Sequence, residues 1–139
     1  MKLFIDTNVI LDVLAKREPF FSASASILNL CELGKVDGVA STLTFCTASY
    51  VLRKCLKGDA MKLHFRALRN ICSPVDLTAS VINKAIDSDI ADFEDAVQFY
   101  SAVYCNADYI ITRNTKDFPR RENLPVITPA DFLALGLEF

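Results

Sequence analysis

A short apolar run over residues 2–5 stops abruptly at Asp6. A run that short, bounded by a polar residue, predicts a buried parallel strand. Asp6 and Thr7 lead into NVILDVLAKR, where Val9, Ile10, Val13 and Leu14 recur at helical spacing until Pro19 stops the pattern. A second helix is predicted over 20–34, closed by Gly34. Asp37 and Gly38 read as a turn, and Val39 to Ser41 as a short strand. Helices follow over 42–57, ending near Gly58, and over 59–71. Ser73 to Leu77 reads as a strand with Pro74 at its start. Thr78 caps a helix over 79–87, and 92–105 is helical again. Tyr109 to Thr112 and Pro125 to Thr128 are the last strands, and Pro129 opens a C-terminal helix at its favoured first position.

Strands alternating with helices predict an α/β protein, a three-layer α/β/α sandwich around a mostly parallel sheet. No repeat, linker or low-complexity tract interrupts the 139 residues, so one domain over 1–139 is expected. Ligands of open parallel sheets bind beyond the carboxyl ends of the strands. Asp6 stands just past the first strand; Arg113, Asn114 and Asp117 stand just past the strand at 109–112. If those two strands are neighbours, their polar residues face one pocket.

Composition narrows the function classes. Hydrophobic residues make up 52% and charged residues 23%, a globular balance. The net charge of -2 carries no basic surplus of the kind that advertises a nucleic-acid binder, so any such contact must come from local clusters. No run approaches the roughly 20 apolar residues of a membrane span. Asp6 interrupts the apolar start, so no signal peptide is expected and the protein reads as cytoplasmic. The five cysteines, Cys31, Cys46, Cys55, Cys72 and Cys105, include no Cys-x-x-Cys pair and sit among apolar neighbours, which predicts reduced core cysteines. The single histidine, His64, lies beside Lys62, Arg66 and Arg69 and reads as part of a solvated helix face.

Three segments could carry chemistry. Asp6 is either a helix N-cap or, if Thr7 or Asn8 caps, a free ligand. The segment SDIADFEDAVQFY holds Asp87, Asp89, Asp92, Glu94 and Asp95. Asp92 and Asp95 share a helix face at its start, where acids also suit the helix dipole. Clustered carboxylates repel unless a cation sits among them, and oxygen-only ligands suit Mg2+ or Mn2+. In IITRNTKDF an apolar strand breaks into Arg113, Asn114, Thr115, Lys116 and Asp117, either an ordinary polar loop or an acid beside two cations able to hold phosphates.

Together and in this order, FIDTNVILDVL, STLTFCTASYVLRK, DFEDAVQFYSA and IITRNTKDF resemble the signature stretches of PIN domains. The resemblance runs from Leu3 to about Asp131 and is nearest to the compact VapC-like toxins of toxin–antitoxin pairs. It implies an endoribonuclease dependent on Mg2+ or Mn2+, with an RNA substrate, an antitoxin partner and a homodimer. The four acids of the family motif fall on Asp6, Thr47, Asp95 and Asn114, so two of the four positions are uncharged here. The resemblance implies metal ligation by Asp6 and Asp95, with Asp92 nearby. Asp117 joins these three as the catalytic set. Thr7, Asn8, Arg113, Asn114 and Lys116 are the implied substrate contacts. The uncharged positions leave open a weakened PIN domain that only binds RNA or protein. A haloacid-dehalogenase-type phosphatase also places an Asp after its first strand, but it wants a second Asp where Asn8 stands.

Overall fold

The computed structural model of the protein describes all 139 residues. Its strands are β1 (Lys2–Ile5), β2 (Asp37–Ser41), β3 (Ser73–Val75), β4 (Tyr109–Ile111) and β5 (Val126–Ile127). They form one sheet in the order β3-β2-β1-β4-β5, parallel at every pairing. The sheet expected to be mostly parallel is therefore wholly so. The helices are α1 (Thr7–Leu14), α2 (Phe21–Glu32), α3 (Thr42–Leu52), α4 (Asp59–Ile71), α5 (Ala79–Ile86), α6 (Phe93–Tyr104) and α7 (Pro129–Ala134).

Strand alternation sorts the helices into the two outer layers. Leu3 and Ile5 of β1 point to a core shared with Val9 and Ile10 of α1, Ile27 of α2, Leu68 of α4 and Phe132 of α7. Phe4, between them, points the other way, to Phe99 and Ala102 of α6. Helix α5 covers α6 through Val81, Ala85, Ala96 and Val97. The result is the expected α/β/α sandwich.

The central place of β1 positions the chemistry. It pairs with β4, Phe4 opposite Ile110 and Ile5 opposite Ile111. The backbone N–H of Asp6 donates to the Ile111 carbonyl at 3.0 Å. The residues following β1 and β4 thus emerge side by side at the carboxyl edge of the sheet.

Some local expectations change. Asp37 and Gly38 do not form a turn; they begin β2, with Gly38 opposite Leu3. A Cβ at Gly38 would lie 2.5 Å from Cys31 Sγ, so the glycine serves the close approach of α2. Helix α3 ends at Leu52 instead of 57, because Arg53, Lys54 and Lys57 have no apolar face to bury and the chain unwinds toward Gly58, whose φ is +54°. Cys31 and Cys72 are buried as expected, but Cys46 and Cys55 are exposed; all five are free thiols. No helix is long and apolar enough to cross a membrane.

Candidate active site

Asp6 is at once a helix cap and the centre of a buried polar network. It occupies the N-cap position of α1 in extended conformation, and its Oδ1 accepts the Thr7 backbone N–H at 2.8 Å. The choice between cap and site residue therefore dissolves. Gln98 Nε2 of α6 donates to the same Oδ1 at 3.0 Å, and the Thr112 hydroxyl, just past β4, donates to Oδ2 at 2.8 Å. Gln98 Nε2 also reaches Thr7 Oγ1 at 3.2 Å and Thr44 Oγ1 of α3 at 3.1 Å. Three helices, α1, α3 and α6, and the β4 terminus are thus joined in one network around this carboxylate. Burial pushes the Asp6 carboxyl above its ordinary range, against the three hydrogen bonds that lower it, and Asp92 adds repulsion.

The remaining acids gather at the start of α6. Asp92 caps that helix, its Oδ1 accepting the Asp95 N–H at 3.0 Å. Asp95, half-buried, is pushed up to about 7 by desolvation first, then by Asp92, Asp6, Asp117 and Glu94. Glu94 is raised by the same causes, burial followed by Asp6 and Asp92. Asp92 and Asp117 line a cavity of about 540 Å³ together with Lys116 and Arg121. The single salt bridge of the protein joins Arg113 to Asp12, so none of these acids has a cationic partner. The acids repel across the pocket, yet no three of them converge closely enough to share an ion without movement or water.

The expected substrate contacts divide. Thr7 is buried in the Asp6 network. Asn8 links α1 to the end of β4, its Nδ2 donating to Thr112 Oγ1 at 3.2 Å and its Oδ1 accepting the Arg113 N–H at 3.3 Å. Arg113 does not offer its charge to the pocket. Its Nε and Nη2 grip Asp12 at 2.6 and 2.9 Å, and its guanidinium lies 4.0 Å from the centroid of the Phe20 ring. The reason is burial: Asp12 is fully enclosed and needs a charge partner. Asn114 and Lys116 are exposed at the rim, and the Asn114 N–H donates to Thr112 Oγ1 at 3.1 Å. Thr47 is half-buried one turn along α3 from Thr44.

Sequence reasoning overlooked Gln98, Thr44, Thr112 and Asp12. Three of them carried a readable signal, a polar residue interrupting or ending an apolar run: Asp12 in VILDVL, Gln98 in AVQFY and Thr112 after YII.

This architecture has known counterparts. A family profile described as PIN domain matches residues 2–116. The chain belongs to the PIN-domain family. Among curated relatives of this PIN domain is Ribonuclease VapC1 of Aquifex aeolicus (strain VF5), 27% identical over 136 residues, covering 94% of this chain and 92% of the relative. Among solved structures, a chain of VapBC2 from Rickettsia felis, crystallised with a DNA fragment from its promoter, superposes with a TM-score of 0.70 at 18% identity, covering 92% and 98% of the two chains. A toxin–antitoxin complex from Klebsiella pneumoniae follows with a TM-score of 0.66, 18% identity and coverage of 91% and 97%. These likenesses carry the fold across more than nine-tenths of the chain.

Proposed function

We propose that this PIN domain, a single domain over 1–139, is a metal-dependent endoribonuclease and the toxin of a toxin–antitoxin pair, acting in the cytoplasm. The observation that carries the reading is the Asp6 pocket: a buried carboxylate at the carboxyl edge of the sheet, beside four further acids with no ion-pair partner. Such a site fits a hard divalent cation, Mg2+ or Mn2+, since a cation would relieve the repulsion that raises Asp95. Asp6 Oδ2 accepts a single hydrogen bond and so retains a free lone pair, and buried Gln98 Oε1 has no partner at all. Asp6 and Asp95 would hold the ion, with Asp92 and Asp117 contributing charge from the rim. When bound, it would supply an activated water and charge stabilisation at a phosphodiester.

The chain's own groups do the rest. Thr112 and Gln98 fix the Asp6 carboxylate, and Asp95, titrating near neutrality, can hold or release a proton at its carboxyl. Lys116, exposed at the rim, would meet the RNA backbone, and exposed Asn114 would orient a water. Arg113 is left out, being engaged by Asp12. The relative named as a ribonuclease and the neighbour solved as a toxin–antitoxin complex support both halves of the reading. RNA cleavage with and without Mn2+ tests it: wild type cleaves only with metal, and Asp95→Asn loses at least tenfold in rate. Cleavage that ignores metal and Asp95→Asn would defeat the proposal.

A second reading, a weakened PIN domain that binds RNA or protein, is favoured by the uncharged Thr47 and Asn114 and by the lack of three converging carboxylates. Thr47→Glu with Asn114→Asp separates the two. In a weakened nuclease the double variant has lower metal-free stability and faster Mn2+-dependent cleavage, by tenfold or more. If calorimetry and cleavage both show no gain, the binding module becomes the better reading.

A further inference from the structure

A second, oppositely charged feature lies on helix α4. Residues 42–72 hold six of the chain's 15 Lys and Arg and a single acid, Asp59, so this segment is strongly positive while the whole carries -2. Three of the cations, Lys62, Arg66 and Arg69, recur at helical spacing on one face of α4. They line a groove of about 430 Å³ between α3, α4 and β3, which contains no acidic residue. None of the three has an ion-pair partner in the protein. The groove's wall also carries Phe45 and Phe65, which pack edge to face with centroids 5.7 Å apart.

Helix α3 reaches both the groove and the Asp6 network. Phe45 adjoins Thr44, whose hydroxyl meets Thr7 Oγ1 at 3.0 Å and Gln98 Nε2 at 3.1 Å. Thr42, also in the lining, follows the last residue of β2, so the groove opens on the same carboxyl edge as Asp6. The three cations extend over about 10 Å of helix. A file of unpaired cations beside aromatic rings is the combination that follows a phosphate backbone and stacks unpaired bases.

We propose that the groove bearing Lys62, Arg66 and Arg69 over the Phe45–Phe65 pair binds single-stranded RNA and leads it to the Asp6 pocket. This rests on the ribonuclease reading for its substrate, yet groove and chemistry are separable. The cationic groove supplies the affinity that the acid pocket, which repels phosphate, cannot. The stripe first read as a solvated face around His64 thus acquires a role, while His64 itself stays exposed outside the groove.

The test is fluorescence anisotropy of the full chain with a fluorescein-labelled single-stranded RNA in EDTA, across a salt series. The Lys62→Gln/Arg66→Gln/Arg69→Gln variant should bind at least tenfold more weakly at low salt. The slope of log affinity against log salt should fall by about 2, because each single-strand phosphate contact contributes about 0.7. The three residues are exposed, and an unchanged melting curve would show that the variant is folded. Arg66→Lys/Arg69→Lys, which keeps the charge, should restore the slope. With Mn2+, the triple variant should cleave a dinucleotide at the wild-type rate and show a raised KM only on longer RNA. A wild type that binds RNA through the groove and cleaves nothing would defeat the nuclease reading while upholding the groove. Wild-type affinity and slope in the triple variant would overturn the groove. So would a loss of self-association by light scattering with RNA binding unchanged, which would make this face a protein contact.

Discussion

Asp6 illustrates how one side chain answers several demands. Its oxygens accept from Thr7, Gln98 and Thr112, while Thr112 Oγ1 in turn accepts from Asn8 Nδ2 and the Asn114 N–H. Clustered charge alone predicts that Asp6→Asn leaves the metal-free protein as stable or more so. The network reverses that expectation. An amide nitrogen in place of Oδ2 would face the Thr112 hydroxyl, whose lone pairs are already occupied, and the hydroxyl proton would lose its acceptor. We expect Asp6→Asn to lower stability by about 1–3 kcal/mol in denaturant unfolding and to abolish Mn2+ binding by calorimetry. Retained metal affinity would remove Asp6 from the site. Asp95 behaves differently, being half-buried. Its folded-state carboxyl sits at about 7 against 3.8 for the free side chain. The folded state therefore binds the extra proton between those values, and ionisation works against folding. In EDTA, the contribution of Asp95 to stability should be present near pH 4 and lost as pH rises through about 7. Thermal melts of Asp95→Asn should remove that part of the pH dependence; a profile parallel to wild type would refute it.

Helix α1 is held by more than its cap. Asp12, wholly buried, receives two hydrogen bonds from Arg113, and Ser24 Oγ of α2 donates to it at 3.4 Å. The pair locks α1, α2 and the end of β4 together behind the Asp6 pocket. Removing the cation alone strands a buried carboxylate, a change that costs about 3–5 kcal/mol. Arg113→Ala is therefore expected to destabilise the fold by that amount in denaturant titrations. If Arg113→Ala instead leaves stability intact and raises KM for RNA, the residue is a phosphate contact after all. The pairing was invisible in sequence because Asp12 and Arg113 stand 101 residues apart and each looked locally ordinary.

The charges of the molecule are segregated: acids gather around Asp6 and α6, cations in 53–57 and along α4. A net charge of -2 conceals that separation, and so the bulk count argued against nucleic acid more strongly than the surface does. Apolar exposure is also uneven. Tyr50 is 67% and Val51 39% exposed on α3, within the 20–57 stretch from which a homodimer contact was expected. A cluster of large apolar side chains in water favours association. The protein is expected to be a dimer by light scattering at micromolar concentration, and Tyr50→Glu/Val51→Glu to shift it to monomer. A wild type that stays monomeric at high micromolar concentration would refute this.

The sequence by itself determined the alternation of strands and helices, the parallel sheet and the placing of Asp6 at a strand end, because hydrophobic periodicity and capping are local. It also placed Asp92 and Asp95 on one helical turn, since three-residue spacing suffices for that. Tertiary structure alone decided which polar residues meet. The β1–β4 pairing brought Thr112 to Asp6, the docking of α6 brought Gln98, and the pairing of Asp12 withdrew Arg113 from the pocket. The cationic groove likewise exists only where α4 lies against α3 and β3. Such contacts join residues far apart in the chain, and whether a buried polar group finds its partner depends on strand order and helix packing, which no local pattern encodes.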